Sequence, residues 1–451
     1  MKTIFISILS GVEAKDILRT DVVHRLLRAG HRVVLFFKSK ERIDFYKKEF
    51  EHPNLIFESV SHFSLSRGDK LFEFLKKYLT RTTTIFLHKK AVFVAEKNYL
   101  TYSASIILSF VLGWGCVRKV ARFLDEKLVV NNSFRGFFDR YNPALVFLAN
   151  LFDPMEIAIV RESKKRNIRT IGFINSWDKI TSKGHVRILP HRLIVTNEIV
   201  KDEAQYYLGE TEENILVSGV PYYDHYVGKP VLSRDEFFKK ISADPKKDLL
   251  IFAPLGRAWG ISDWDMIDLL YELIQKKVFL KDLELLIRFP PNDFVHEENI
   301  KKRPYLRCDV PGVRFQTSLG MDWDMDFSEI EHLRNTLHHC SILVGYSSSV
   351  SIDAAFWNKP VINIGFTVRS MPFNKDPITR YQTTHYSKAL RSGGIRLVNS
   401  KEELIEWVNK YLEDPSRDAE GRARLVREQC YKADGKAGER IAEFLLQNLT
   451  F

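Results

Sequence analysis

Short apolar runs alternate with amphipathic segments along most of this chain, and the alternation begins twice. Lys2–Ile8 reads as a strand, Asp16–Ala29 as an amphipathic helix closed by Gly30, and Arg32–Phe37 as a second strand. Leu145–Ala149, Arg169–Ile174, Arg192–Thr196 and Ile215–Ser218 read as further buried strands, with helical Pro154–Ser163 between the first two. Strands that alternate with helices predict a parallel sheet covered on both faces. The stretch GVPYYDHYVGKPVLS then reads as a linker, and the pattern restarts. Leu249–Phe252, Glu284–Arg288, Val313–Phe315, Ser341–Val344, Val361–Ile364 and Ile395–Val398 read as strands. Ser262–Lys276, Phe327–His339 and Val350–Trp357 read as the helices between them, and Lys401–Leu412 and Arg422–Leu449 close the chain as helices. The expected fold class is α/β: two Rossmann-like domains in tandem, with a cleft facing the carboxyl ends of the strands, where open α/β sheets bind ligands.

The length of 451 residues suits two to three domains, and 45% hydrophobic with 28% charged residues is enough to bury their cores. Cys116, Cys308, Cys340 and Cys430 are far apart with no C-x-x-C pair, which fits free thiols in a reducing compartment. The opening run MKTIFISILS lacks a small-residue cleavage pattern and reads as a strand, so a cytoplasmic protein is expected.

The net charge of +11 is concentrated: residues 61–135 hold thirteen Lys/Arg against five Asp/Glu. This region breaks the alternation and reads as an insertion, around 70–130. Inside it Asn98–Val117 carries no charge, with Lys89, Lys90 and Lys97 before it and Arg118, Lys119 and Arg122 after it. Three readings are open: a buried core helix, an interfacial helix on an anionic membrane, and a spanning helix, which needs about 20 mostly apolar residues. No basic helix or aromatic-basic repeat points to nucleic acid, so none is expected as a partner.

Five stretches carry chemistry. In VGYSSSVSIDAAFWNKPVI a strand ends in Ser347, Ser348 and Ser349 at a helix start, where backbone N–H groups and hydroxyls suit an anion. Asp353, one turn later, suits the hydroxyls of a ribose; a plain serine cap with an acid in the first turn is the alternative. FAPLGRAWG places Gly256 and Arg257 after a strand, and LLIRFPPND ends a strand at Arg288, whose guanidinium suits a phosphate. RYQTTHYSKALRSGG reads as a polar loop carrying His385. NSWDKITSKGH brings Trp177, Asp178, Lys179 and Lys183 together: an indole for a sugar face, and a carboxylate to take a hydroxyl proton. Asp322, Asp324 and Asp326 form a D-x-D-x-D run, but acids before a helix explain it and no metal is expected.

On these residues the chain resembles GT-B glycosyltransferases, in particular the branch that includes CDP-glycerol glycerophosphotransferases and the non-hydrolysing UDP-N-acetylglucosamine 2-epimerases. Small residues, an acid, Ala and then KPVI are similar to the donor motif of that branch. The resemblance implies that Ser347–Ser349 hold a diphosphate and Asp353 the ribose, with Asp standing where many relatives have Glu. IRFPPN looks like the family's basic strand end followed by His-Pro, with Pro290 in place of the His. The resemblance implies residues 1–224 as acceptor domain, 225–430 as nucleotide-donor domain, and 431–451 as a helix returning to the first. SGVEAKD follows the first strand, where such enzymes present acceptor-side residues, so Glu13 and Asp16 join Asp178 and His385 as catalytic candidates. The implied function is metal-independent transfer of a sugar from a nucleotide-sugar to a glycan or lipid-linked acceptor, in bacterial surface polysaccharide synthesis. The nucleotide-sugar enters as substrate, and no cofactor is expected. The enzyme would sit in the cytoplasm or peripherally on the inner face of the membrane. A glycerophosphotransferase, a nucleotide-sugar epimerase and a non-catalytic nucleotide-sugar-binding protein remain the alternatives.

Overall fold

The structure is a computed structural model that describes residues 1–229, 231–256, 263–292, 297–315 and 323–449. The chain divides into two units, residues 1–227 with 430–451, and residues 228–429.

Unit 1 is built on a seven-stranded parallel sheet of β1 (Thr3–Ser7), β2 (Arg32–Phe37), β3 (Leu55–Ser59), β4 (Leu145–Leu148), β5 (Arg169–Ile174), β6 (Arg192–Val195) and β7 (Ile215–Val217). Their order is β3-β2-β1-β4-β5-β6-β7. Side chains alternate between the faces of each strand, and here both faces are buried. Ile4, Ile6, Val33, Leu35 and Phe37 face one core with Val22, Leu26, Ile441 and Leu445. Phe5, Val34 and Phe36 face the other with Phe134, Phe138 and helix Pro154–Lys165. This explains why the strands read as unbroken apolar runs.

Unit 2 repeats the plan with β8 (Asp248–Ala253), β9 (Leu283–Arg288), β10 (Arg307–Asp309), β13 (Ile342–Gly345), β14 (Val361–Ile364) and β15 (Arg396–Val398). Their order is β10-β9-β8-β13-β14-β15, all parallel. Two short strands, β11 (Val313–Arg314) and β12 (Trp323–Asp324), form a separate antiparallel pair. Val313–Phe315, read as a main-sheet strand, therefore lies outside that sheet. Its place is taken by Arg307–Asp309, whose polar composition hides it.

Other differences have local causes. The expected helix Asp16–Ala29 is two pieces: π-helical Ala14–Leu18 and α-helical Asp21–Arg28. Between them Thr20 Oγ1 donates to the Asp16 carbonyl at 2.8 Å. The expected helix Arg422–Leu449 is interrupted after Cys430 and resumes at Ala437, with Tyr431, Ala433 and Gly435 at positive φ between. RYQTTHYSKALRSGG is mostly helical rather than a loop, as Pro377–Gln382 and Thr384–Arg391. In the stretch read as a linker, Tyr222, Tyr223 and Tyr226 are buried within unit 1.

The insertion is four helices: Arg67–Leu75, Thr83–Glu96, Tyr99–Leu112 and Gly115–Leu128. The last two meet at 93°, and among the described residues no single helix is long and apolar enough to cross a membrane. The core-helix reading of Asn98–Val117 fails, since no residue of Tyr99–Leu112 is buried. The insertion is fixed to unit 1 by buried charge. Asp125 and Asp69 are both 1% exposed; Asp125 pairs with Arg161 and Arg187 at 2.7 Å each, and Asp69 with Arg187 at 2.9 Å.

Candidate active site

Each sheet has a switch point, where successive crossovers leave the first strand in opposite directions and open a crevice at the carboxyl edge. In unit 1 this lies between β1 and β4, and in unit 2 between β8 and β13.

The crevice of unit 1 gathers acids. Ser10 opens a helical turn, Gly11–Glu13, which widens into the π-helical segment carrying Asp16; such segments often mark functional sites. Glu13 is fully buried and accepts from Ser10 Oγ, and from Asn175 Nδ2 at 3.4 Å. Among the described residues Asn175 Oδ1 is buried with no hydrogen-bond partner. Asp16 is 2% exposed, and burial pushes its carboxyl up to about 7; Lys15 opposes the rise, Glu13 adds to it, Lys179 opposes it and Asp224 adds to it.

Glu156 is a third acid here that the spacing of candidate motifs does not reveal. Its carboxylate accepts from Ser7 Oγ at 2.5 Å and from the Asn150 amide at 2.8 and 2.9 Å. Burial drives its carboxyl well above the ordinary range, with Glu13 adding to the effect. A signal exists in PMEIAIV, a lone acid on the apolar face of a helix that sheet packing should bury. Lys179 is the cation facing this group: burial pulls its ammonium down, and Glu13, Asp178 and Glu156 oppose that shift.

The loop after β5 presents Trp177 and Asp178, both partly buried, and an exposed Lys183. Ser176 Oγ donates to Asp178 Oδ1 at 2.5 Å and Ser182 Oγ to Oδ2 at 3.1 Å, fixing the carboxylate's orientation. Asp178 is thus the acid nearest solvent, whereas Glu13 and Asp16 are enclosed. The structure brings Glu13, Asp16 and Lys179 together, with Asp178 beside Lys179.

In unit 2 the serine corner follows β13. Ser349 has helical backbone angles and makes no side-chain capping bond, so it is not a plain N-cap. The helix Val350–Phe356 begins bonding with Ser351 N to the Ser348 carbonyl at 3.2 Å. Ser347 Oγ is buried and, among the described residues, has no hydrogen-bond partner. Asp353 lies in the first turn and is 7% exposed. Behind it Ser351 Oγ meets Tyr386 Oη at 3.0 Å, and Asn363 Nδ2 donates to the same phenol at 2.5 Å. This buried network ties the serine helix to β14 and to the helix Thr384–Arg391. His385 lies beside Tyr386 in that helix's first turn and is partly buried.

Gly256 follows β8 with φ +87°, a left-handed angle that favours glycine. Its amide donates to Asp263 Oδ2 at 2.9 Å, so that N–H already has a partner. Arg257 lies outside the described residues. Arg288 ends β9 and is paired: its Nη1 donates to Asp309 Oδ2 at 2.9 Å, and His332 Nε2 meets the same carboxylate at 2.9 and 3.0 Å. Sequence reading finds Arg288 but not this partner, because Asp309 lies on the unread strand β10. Burial opposes ionisation of Asp309, but His332 and Arg288 outweigh it and hold the carboxyl below its ordinary value. In the acidic triplet Asp326 caps the helix Phe327–His339, accepting from Glu329 N at 2.9 Å. Asp324 is fully buried, and Asp322 lies outside the described residues.

Two Rossmann-like units in tandem, each with a polar crevice at its switch point, make up the GT-B fold. The sequence pattern of the CDP-Glycerol:Poly(glycerophosphate) glycerophosphotransferase family matches residues 44–447, and the chain belongs to that family. Among solved structures, the fold is similar to S. aureus MnaA with UDP, at TM-score 0.54 and 14% identity over 100% of this chain and 98% of that one. It is similar also to UDP-GlcNAc 2-epimerase from Neisseria meningitidis bound to UDP-GlcNAc, at TM-score 0.53 and 12% identity over 99% and 100% of the two chains. The wall teichoic acid polymerase TagF with CDPG gives TM-score 0.50 and 13% identity over 100% of this chain and 89% of that one. A curated relative, the hydrolysing UDP-N,N'-diacetylbacillosamine 2-epimerase of Legionella pneumophila, is 26% identical over 179 residues, 39% of this chain. The match spans 43% of that relative's length.

Proposed function

We propose that the chain transfers a glycosyl group, or the glycerol-phosphate group of its family's name, from a nucleotide-activated donor to a glycan or lipid-linked acceptor. Unit 2 holds the donor. The observation that carries this reading is the serine corner: Ser347 has a buried hydroxyl without a partner among the described residues, and Asp353 lies one turn further on. Ser347–Ser349 take the phosphates and Asp353 the ribose, and relatives that bind UDP, UDP-GlcNAc and CDPG support a nucleotide there. Arg288 and Arg257 add positive charge, Gly256 shapes the approach, and His385 stands near the network behind the helix. Backbone N–H groups and guanidinium side chains offset the charge on the departing nucleotide, so transfer proceeds without a metal.

Unit 1 holds the acceptor, with Trp177 against its apolar face and Lys179 and Lys183 on its polar groups. The acceptor hydroxyl attacks the transferred group and its proton passes to Asp178, the partly exposed carboxylate whose orientation two serines fix. The nucleotide leaves with the electron pair of the broken bond. The buried Glu13 and Asp16 shape the field around Lys179 rather than receive that proton. An apolar, basic insertion on the same unit supports a lipid-linked acceptor in surface polysaccharide synthesis and a peripheral position on the inner face of the membrane.

Titration with UDP-, GDP-, CDP- and TDP-sugars and CDP-glycerol tests the donor site. One of them binds, and Asp353→Ala weakens it at least tenfold; full affinity in that variant removes the site. The epimerase-like relatives favour a second reading, epimerisation, which needs no acceptor. Turnover of nucleotide sugar alone selects it, and donor binding without nucleotide release on any acceptor selects a non-catalytic binder.

A further inference from the structure

Among the buried guanidinium groups of this chain, Arg288 is used differently. Arg187 and Arg422 each donate from Nε, Nη1 and Nη2, so the fold itself fills their forks. Arg288 is 7% exposed at the end of β9, and its Nη1 donates to Asp309 Oδ2 at 2.9 Å. Its Nε and Nη2 have no hydrogen-bond partner among the described residues. Glu329, whose carboxyl feels the charge of Arg288, accepts from the Gly312 amide at 2.7 Å and forms no ion pair with it.

The acid at the tied corner is itself held. Asp309 is the register partner of Arg288 on the neighbouring parallel strand β10, and the Phe289 amide donates to its carbonyl at 3.0 Å. From helix Phe327–His339, His332 Nε2 donates to its two carboxylate oxygens at 2.9 and 3.0 Å. Sheet and helix thus fix where the carboxylate stands, and the carboxylate fixes Nη1. A guanidinium is a rigid plane, so its own chain at one end and a tied Nη1 at the other set the direction of the remaining edge. That edge, Nε with Nη2, offers two parallel N–H groups that match two phosphate oxygens.

We propose that Asp309 and His332 are positioning residues for donor recognition: they tie down Nη1 so that the Nε–Nη2 edge of Arg288 meets the donor's phosphate oxygens already oriented. Rotamer freedom is then lost on folding rather than on binding, which strengthens binding without adding a contact. The proposal rests on the reading of unit 2 as the donor unit. Asp309 and His332 both border a cavity of about 420 Å³, so shortening either enlarges an existing space instead of opening a packed core.

The full chain and its variants are titrated with UDP, CDP, GDP and TDP, each beside its nucleoside, and melting temperatures are compared. For the diphosphate that wild type binds, Asp309→Ala loses about tenfold in affinity, the size of one charge-assisted contact, while the nucleoside stays within about twofold. Asp309→Asn keeps an oxygen for Nη1 and removes a negative charge, so it binds the diphosphate at least as tightly as wild type. His332→Ala loses about threefold or more, and His332→Gln, whose amide still donates to Asp309, recovers it. A packing defect would weaken nucleoside and diphosphate alike, and neither amide would restore the loss.

Unchanged diphosphate affinity in Asp309→Ala overturns the proposal, as does an equal loss with the nucleoside, or Asp309→Asn as weak as Asp309→Ala. Where Asp309→Ala does not fold, the His332 variants decide, and full affinity in His332→Ala overturns it. Binding that Asp353→Ala weakens and Asp309→Ala does not refutes the positioning alone. A wild type that binds none of the diphosphates refutes the donor reading and the positioning with it.

Discussion

A 2.7 Å hydrogen bond joins the amide of Gly438 to Asp224 Oδ2 across 214 residues of sequence, and Ala437 N donates to the other carboxylate oxygen at 3.0 Å. Asp224 therefore caps the helix Ala437–Gln447 from outside its own segment, at the positive end of that helix's dipole. Arg25 adds a 2.7 Å ion pair to Glu439. Removing a capping carboxylate costs about 1–2 kcal/mol. Asp224→Ala should show that loss in chemical denaturation; an unchanged midpoint would leave the cap without energetic weight.

Asp16 and Asp224 predict a pH dependence. Burial leads the rise in both, to about 7 and about 6. In the unfolded chain both titrate near 3.9, so the folded chain holds these protons more tightly. Their stabilising contribution is complete below about pH 4 and is lost as the pH rises through the folded values. Wild type should lose stability relative to Asp16→Asn between about pH 4 and 7, at most about 1.4 kcal/mol per pH unit, and level off above that. A difference that is flat with pH refutes the raised carboxyl.

Asp125 is the shared partner of two buried guanidinium groups. Asp125→Ala leaves both without it, and breaking a buried pair costs about 3–5 kcal/mol. The insertion should then exchange its amides faster than the sheet of unit 1. Replacing Arg161 by Met in the same chain should recover part of the loss, because Asp125 is the carboxylate Arg161 pairs with, whereas Arg187 keeps Asp69 and Glu73.

Two glycines of unit 2 allow backbone to touch backbone. A Cβ on Gly421 would lie 2.3 Å from the Gly393 carbonyl, and one on Gly394 would lie 2.6 Å from Gly421. Backbone cannot swing aside as a side chain does, so Gly421→Ala should cost at least the roughly 1–3 kcal/mol of an overpacked core. A melting temperature within a degree of wild type would contradict that contact.

The buried strands were legible because burial on both faces leaves an unbroken apolar run, as in Arg32–Phe37, Arg169–Ile174 and Val361–Ile364. Arg307–Asp309 was not, because an edge strand of three polar residues has no such run. The serine corner was legible from three hydroxyls at a strand-to-helix boundary. Glu156 was not, because its neighbours Ser7 and Asn150 come from two other segments. Helix ends set by distant partners were also hidden: nothing near Ala437 announces that Asp224 caps it. The insertion's charge and apolar content were plain in the sequence, but which side faced outward depended on Arg81 and Lys89 bonding to Ser105 and Ser109.

The helix that resumes at Ala437 closes a unit begun more than two hundred residues earlier. Ile441, Leu445 and Leu449 complete the core that Val22, Leu26 and β1 begin. Residues 228–429 are made between those two halves. On the ribosome, then, the N-terminal core waits, with one helix face uncovered, until the whole second unit has emerged. A chain stopped short of residue 441 lacks Ile441, Leu445 and Leu449 and leaves the apolar face they cover open to water.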